Sequence, residues 1–166
     1  ESYEILKKLQ ANATPILYII GKRTNFNLFN KLNNGIKINA YNNTSYTSAL
    51  PQFNKDFSLF SISKETIDII SQLPPLSSPL AKFDASQGLQ TLFYQTQNTL
   101  KTDYPLITFN NNTDNQSAII CGEDIWKWRL RNYLQNNSTE QVDEIIQKTI
   151  QYLVSDTDKS TFKIKH

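Results

Sequence analysis

The chain has 166 residues, a length that suits one domain with a core of its own. Its 17 basic and 15 acidic residues leave a net charge of +2, too balanced for the concentrated basic face that nucleic acid requires. One cysteine, Cys121, and one histidine, the terminal His166, exclude an intrachain disulfide and a thiolate zinc cage, and no apolar run approaches the roughly 18 residues of a membrane-spanning helix.

Helical and extended patterns alternate along the chain. Residues 2–10 set Ile5, Leu6 and Leu9 on one helical face, opposite Lys7 and Lys8. Pro15 to Gly21 is a continuous apolar run ending in glycine, the pattern of a strand buried on both faces. Thr24 predicts the N-cap of a helix over 25–33, closed by Asn33-Asn34-Gly35. Residues 36–40 alternate as a half-exposed strand. Residues 41–56 have no period and read as a long loop or hairpin insertion. Residues 57–62 read as a strand. Ser63 caps a helix over 64–73 with Ile67, Ile70 and Leu73 inward, stopped by Pro74-Pro75. Residues 76–87 read as an irregular crossing segment. Leu89 to Gln95 alternates as a strand, and residues 98–103 turn. Strands over 104–109 and 117–121, joined by the Asn- and Asp-rich segment 110–116, predict a hairpin. Ser138 and Gln141 make a capping-box pattern for a helix ending near Leu153. Its apolar stripe is Val142, Ile145, Ile146, Thr149, Ile150 and Leu153. Helices interleaved with buried strands predict an α/β fold in one domain over 1–155. Residues 156–166 read as a tail or linker, in which Phe162-Lys163-Ile164 could begin a strand. The chain opens on Glu1 without an initiator Met or a signal-like segment, which reads as a piece of a longer protein.

Ser117 to Leu134 gathers the most specific residue types. A buried strand ends at Cys121, turns at Gly122-Glu123-Asp124, and enters a helix that carries both tryptophans, Trp126 and Trp128, with Arg129 and Arg131. Cys121 has no usable histidine to hold a thiolate, so it reads as a small buried residue rather than a nucleophile. Glu123 and Asp124 could serve a metal or acid–base chemistry, but carboxylates at a helix start also simply complement its dipole. Trp126, Leu130 and Tyr133 share one helical face and are expected to cover the sheet, with Arg129 pairing with Glu123 or the helix carbonyls. One tryptophan outside that plug, with the arginines, would make a binding surface. Lys22 and Arg23 follow a strand and precede a helix, where open α/β sheets bind ligands, although no glycine-rich phosphate loop is present.

Taken in order, the residues resemble a family. PILYIIG, the Leu-Pro-Pro-Leu turn at 73–76, Tyr-Pro-Leu-Ile at 104–107, and Gly122-Glu123-x-x-Trp126-x-Trp128-Arg129 followed by the Ser138 helix are similar to the class I glutamine amidotransferase-like domain of uncharacterised Bacteroidetes membrane proteins related to the von Willebrand factor A-type, aerotolerance-operon-like group. The resemblance covers most of residues 10–160. It implies a three-layer, flavodoxin-like sheet, mostly parallel with a C-terminal antiparallel hairpin. It also implies membrane helices outside this chain and a place at the periplasmic face of the inner membrane. Amidotransferases use a Gly-x-Cys-x-Gly elbow, whereas Ile119 stands two residues before Cys121, so no catalytic residue and no cofactor is carried over.

The expectation is therefore a non-catalytic interaction or ligand-recognition module of a membrane-anchored cell-envelope protein. Its partner would be an envelope protein or a small molecule, with no nucleic acid and no membrane contact except through segments outside this chain. The candidate binding residues are Lys22, Arg23, Glu123, Asp124, Trp128 and Arg129, at the C-terminal edge of the sheet. The alternatives are a metal-assisted hydrolase or transferase using Glu123 and Asp124, and a sugar-binding module using aromatics such as Tyr41, Tyr46 and Trp128.

Overall fold

Which face each strand residue points to decides how this chain layers. A computed structural model describes residues 2–32, 34–42, 44–111 and 116–155. Its helices are α1 (Ser2–Ala11), α2 (Phe26–Phe29), α3 (Lys64–Ile69, extended by a 3₁₀ turn at Ile70–Gln72), α4 (Trp126–Asn136) and α5 (Glu140–Ser155). Its strands are β1 (Ile16–Ile19), β2 (Ile36–Ala40), β3 (Tyr46–Phe53), β4 (Leu76–Pro79), β5 (Ala81–Ala85), β6 (Leu89–Gln97), β7 (Leu100–Asn110) and β8 (Ser117–Ile120). The expected cap at Asn33, the middle of the 110–116 linker, and the 156–166 tail with Phe162, Ile164 and His166 lie outside the described residues.

Six strands form one sheet in the order β1-β8-β7-β6-β3-β4, and β2 pairs with β5 in a separate antiparallel ribbon. Within the sheet β1 and β8 run parallel, while the β8–β7, β7–β6, β6–β3 and β3–β4 pairs are antiparallel. This corrects the expected fold class. The sheet is mixed and mostly antiparallel, not a mostly parallel, flavodoxin-like one. Apolar runs report burial on both faces, and they do so for either strand direction.

Burial on both faces follows from two cores. Ala118 and Ile120 of β8 enter the larger core, with Trp128 of α4, Val142, Ile145 and Leu153 of α5, and Ile70 and Leu73. Ile119 and Cys121 enter the smaller one, with Phe26 and Phe29 of α2, Ile36 and Ile38 of β2, and Phe83 of β5. Helices α3 to α5 thus cover one face of the sheet, and the β2–β5 ribbon with α2 covers the other. Tyr3 and Leu6 of α1 rest on the smaller core, but no α1 residue is fully buried. Strand β1 is at the sheet edge, so Ile19 is 53% exposed where a strand buried on both faces was expected.

Four segments differ from their sequence patterns, one of them 98–103, where β7 already begins at Leu100 and only the left-handed pair Asn98-Thr99 turns. Residues 41–56 contain β3, which takes the place of the expected loop, and 76–87 contain β4 and β5. Prolines and serines disguise these strands. Pro51 of β3 lies beyond the stretch that pairs with β4, where β6 is the one neighbour, and Pro79 ends the edge strand β4. Proline is tolerated where one side of a strand has no ladder to complete. Residues 57–62 do not form the expected strand. Phe57 and Phe60 turn inward and stack on Phe109 at ring-centroid distances of 5.6 and 5.4 Å, closing the end of the larger core.

Helix ends follow local chemistry. Ser63 caps α3 as expected, its Oγ accepting from Thr66 N at 3.2 Å. Asn25 rather than Thr24 caps α2, accepting from Leu28 N. Near α5 the Ser138 hydroxyl accepts from Glu140 N, while Gln141 turns away to take a bond from Asn132 at 2.9 Å.

Glu144 ties α5 to the start of α3. Its carboxylate accepts from Ser63 N at 3.0 Å, from Ser63 Oγ at 2.5 Å, and from the Thr66 hydroxyl. Partial burial pushes this carboxyl up, but the hydrogen bonds from Ser63 and Thr66 outweigh it and hold the group below the usual glutamate range. A carboxyl depressed in the folded state stabilises the fold above its unfolded pKa, and that stability is lost as pH falls through the folded value. Glu144→Gln should therefore lower the melting temperature at neutral pH by about 3 °C or more. The gap to the unsubstituted chain should close as the pH of a thermal-melt series drops below about 4.

Candidate functional site

The turn after β8 draws three chain segments together. Glu123 pairs its backbone with Ser77 of β4 in both directions, at 3.0 and 3.2 Å. Gly122 is required beside it, since a Cβ there would lie 2.9 Å from Leu76 Cβ. The Glu123 side chain reaches the exit of β1 and accepts from Lys22 N at 2.6 Å. It covers Gly21 so closely that a Cβ at that position would overlap the carboxylate. Tyr46, at the start of β3, donates to Gly21 O at 3.3 Å. Burial and the neighbouring Glu123 charge both push the Tyr46 phenol up, so it remains a neutral donor.

Asp124 adopts φ +79°, a left-handed conformation that aspartate accepts more readily than most residues. Its carboxylate bonds Lys127 Nζ at 2.8 Å, and this ammonium holds the acid below the usual range, with Lys22 adding to the effect. Neither acid caps α4, whose N-cap residue Ile125 has no side-chain bond. The two expected acids are thus occupied in holding the turn. Among the described residues no group of three or more His, Cys, Asp or Glu is placed to hold a metal ion. Cys121 is fully buried, and desolvation alone pushes its thiol far above the ordinary value.

The structure brings Lys22, Glu123 and Asp124 to one end of the sheet and separates the other expected residues. Arg23 faces a groove of roughly 450 Å³ between α1, β1 and α2. Trp128 has no exposed surface: its Nε1 donates to Pro74 O at 2.7 Å, and its ring meets Phe93 edge-on at 6.1 Å. Arg129 is on the far side of the turn and pairs with Asp143 at 2.8 Å, not with Glu123 or the helix carbonyls. Arg129, helped by Thr139, holds the Asp143 carboxyl low. With Trp128 in the core, Tyr46 committed to Gly21, and Tyr41 exposed elsewhere, those three aromatics do not form one platform.

The expected plug is inverted. Trp126, Leu130 and Tyr133 do share a face of α4, and with Leu134 they point outward. Trp126 is 60% exposed and Leu134 is 69% exposed. The inward face carries Trp128 and Asn132, and buried Asn132 is satisfied by Gln141 of α5. Because that face includes an amide, the hydrophobic pattern of α4 points away from the core it packs on. A groove of about 740 Å³ runs beside the outward stripe, lined by Trp126, Arg129, Leu130 and Tyr133 of α4 and by Asn137, Ser138, Thr139 and the one acid, Glu140, at the start of α5. The signal for this surface is the i, i+4, i+7 spacing of Trp126, Leu130 and Tyr133, which a helical wheel alone places toward the core.

No family model matches the chain, and no curated protein matches it. Among solved structures it is similar to the "mmIFT52 N-terminal domain", at 15% identity and a TM-score of 0.44 over 99% of this chain and 72% of that one. It is also similar to beta-galactosidase from Bacillus circulans sp. alkalophilus, at 15% identity and a TM-score of 0.38 over 84% of this chain and 20% of that one. At these values neither likeness transfers a residue or a role. The expected glutamine amidotransferase-like relationship is corrected by the topology: the sheet is mixed and mostly antiparallel, not the mostly parallel one that relationship implies. Among the described residues no helix is long and apolar enough to cross a membrane.

Two measurements check this geometry. Gly21→Ala should lower stability by about 1–3 kcal/mol through overpacking, and most of that loss should vanish in a Glu123→Ala background, a coupling readable from a double-mutant cycle of denaturant melts. Trp128→Ala should remove about 3–5 kcal/mol, whereas Trp126→Ala should leave the melting curve within about 0.5 kcal/mol of the parent.

Proposed function

We propose that the chain is a non-catalytic recognition module that docks an amphipathic helical segment of a protein partner, flanked by acidic residues, along α4. The observation that carries this reading is the outward stripe of Trp126, Leu130, Tyr133 and Leu134 on a helix whose other face is fully used by the core. Exposed apolar patches of this kind mark interaction sites, and Trp, Tyr and Arg dominate binding energies at such sites. Helix-in-groove docking uses the i, i+4, i+7 spacing that this stripe has.

Charge selects the occupant. Helix α4 carries Lys127, Arg129 and Arg131 and no acidic residue; Lys127 and Arg129 are paired with Asp124 and Asp143, and none of the ion pairs among the described residues involves Arg131. At 100° per residue these cations flank the stripe on both sides. A second copy of the chain would set Arg131 and the exposed, Asp143-paired Arg129 against their own like charges, which disfavours self-docking, whereas acidic flanks complement Arg131 and can share the Arg129 guanidinium. The groove beside the stripe suits a ridge of side chains better than a flat bilayer. The periplasmic setting and its envelope partner rested on the amidotransferase-like resemblance and are not carried further. A hydrolase or transferase at Glu123 and Asp124 is disfavoured by the bonds that already occupy both carboxylates.

A fluorescent amphipathic peptide with a leucine ridge and glutamate flanks should bind saturably and weaken with salt, and its lysine-flanked counterpart should not bind. Trp126→Ala with Tyr133→Ala should cut the affinity about tenfold or more with an unchanged melting temperature. Equal binding of both peptides, binding that survives the double substitution, a Trp126-dependent dimer, or preference for anionic vesicles would each overturn the reading.

A further inference from the structure

The groove at Arg23 is separate from α4 and has a chemistry of its own. Its walls are Tyr3 and Leu6 of α1, Tyr18 of β1, and Leu28, Phe29 and Leu32 around α2. Among the described residues no aspartate or glutamate lines it, and Arg23 is its one cation. None of the ion pairs among the described residues involves Arg23. Beside it, the Asn25 oxygen is committed to Leu28 N, so its amide nitrogen is what remains to face a ligand. The mouth therefore offers donors and a positive charge, while the walls offer aromatic and aliphatic surface.

The depth is aromatic and neutral. Tyr18 packs edge-on against Phe29 at 5.6 Å. Burial pushes its phenol up to about 12, so it stays uncharged at any physiological pH. Tyr18 OH is reached by Gln10 of α1 at 3.3 Å, and Gln10 also bonds Asn34 at 2.8 Å. Those are the side-chain hydrogen bonds by which the described part of α1 is held to the rest of the fold. With no fully buried residue, α1 rests on the smaller core through Tyr3 and Leu6 and forms the least deeply anchored wall of the groove.

We propose that this groove binds a small amphipathic carboxylate, its apolar body between α1 and α2 and its carboxylate at Arg23. The size of the groove is in the range of small-molecule sites, and the pattern of apolar walls with one convergent polar group is typical of them. A guanidinium recognises a carboxylate with two parallel bonds, which an alcohol of the same length cannot accept. This site is independent of the α4 reading, and either can fail alone.

The test is a nuclear magnetic resonance titration of the whole chain with decanoate below its micellar concentration, with decanol as the neutral control. Decanoate should give saturable shifts at the amides of Arg23, Thr24 and Asn25 and at the methyls of Leu6, Leu28 and Leu32. Decanol should bind about tenfold more weakly, and Arg23→Gln should remove that difference without changing the melting temperature. Leu28→Trp, which fills the groove from its rim, should abolish the shifts. Equal binding of decanoate and decanol, shifts centred on Trp126 and Tyr133, or no saturable shift would each overturn the proposal.

Discussion

The sheet of this protein closes on itself at a single residue pair. Strand β4 is one edge of the six-stranded sheet, and β8 is next to the other edge, yet Ser77 of β4 and Glu123 after β8 exchange both backbone hydrogen bonds. Two strands far apart in sheet order can meet only if the sheet curls. The curl wraps β8, β7, β6, β3 and β4 around the larger core, and Leu76 and Trp128 are both part of that core. The same residue extends its side chain the other way, to Lys22 on the exit of β1. One glutamate therefore fixes both the closure and the start of the chain segment that leads to α2. This explains why Gly21 and Gly122 leave no room for a side chain, and why the acid is engaged in architecture.

Once the sheet is curled, the helices have little freedom. The larger core needs a wide side chain between the Pro74 turn and Phe93, and Trp128 supplies it with its indole N–H satisfied by Pro74 O. Fixing Trp128 inward fixes the rotation of all of α4. The stripe from Trp126 to Leu134 must then face out, whatever its apolarity would prefer. Arg129 is carried to the side where Asp143 of α5 meets it. The exposed stripe is thus a consequence of which tryptophan the core selects.

Much of the element order was legible. The helix after Ser63, the β7–β8 hairpin, β2 and the long C-terminal helix all follow from caps, periods and turn residues that act locally. What failed depends on distant partners. Strand direction was not legible in PILYIIG or SAIIC, because both runs report only that two cores flank them. Strands β3 and β4 were hidden by Pro51 and Pro79, which are acceptable only because of where neighbouring strands stop. The rotation of α4 is not legible because Asn132 on its inner face is satisfied by Gln141, nine residues further along, and a helical wheel cannot see that bond. Of the expected site residues, the sequence neighbours Glu123 and Asp124 stayed together with Lys22. Trp128 and Arg129 were separated by the helical turn that lies between them and the acids.

Closure at Ser77 also leaves the protein with unequal sheet edges. The β4 edge is engaged by Glu123, while among the described residues β1 pairs with β8 alone. Since Ile16 N and Ile20 N bond toward β8, the backbone groups of Leu17 and Ile19 point away from it. An open row of donors and acceptors is the template on which unrelated chains assemble into aggregates. Here it spans only a four-residue strand, too short to recruit a stable added strand by itself. Colloidal behaviour at high concentration therefore depends on β1 staying short, and an insertion that lengthened it would turn a harmless rim into a nucleus for fibre growth.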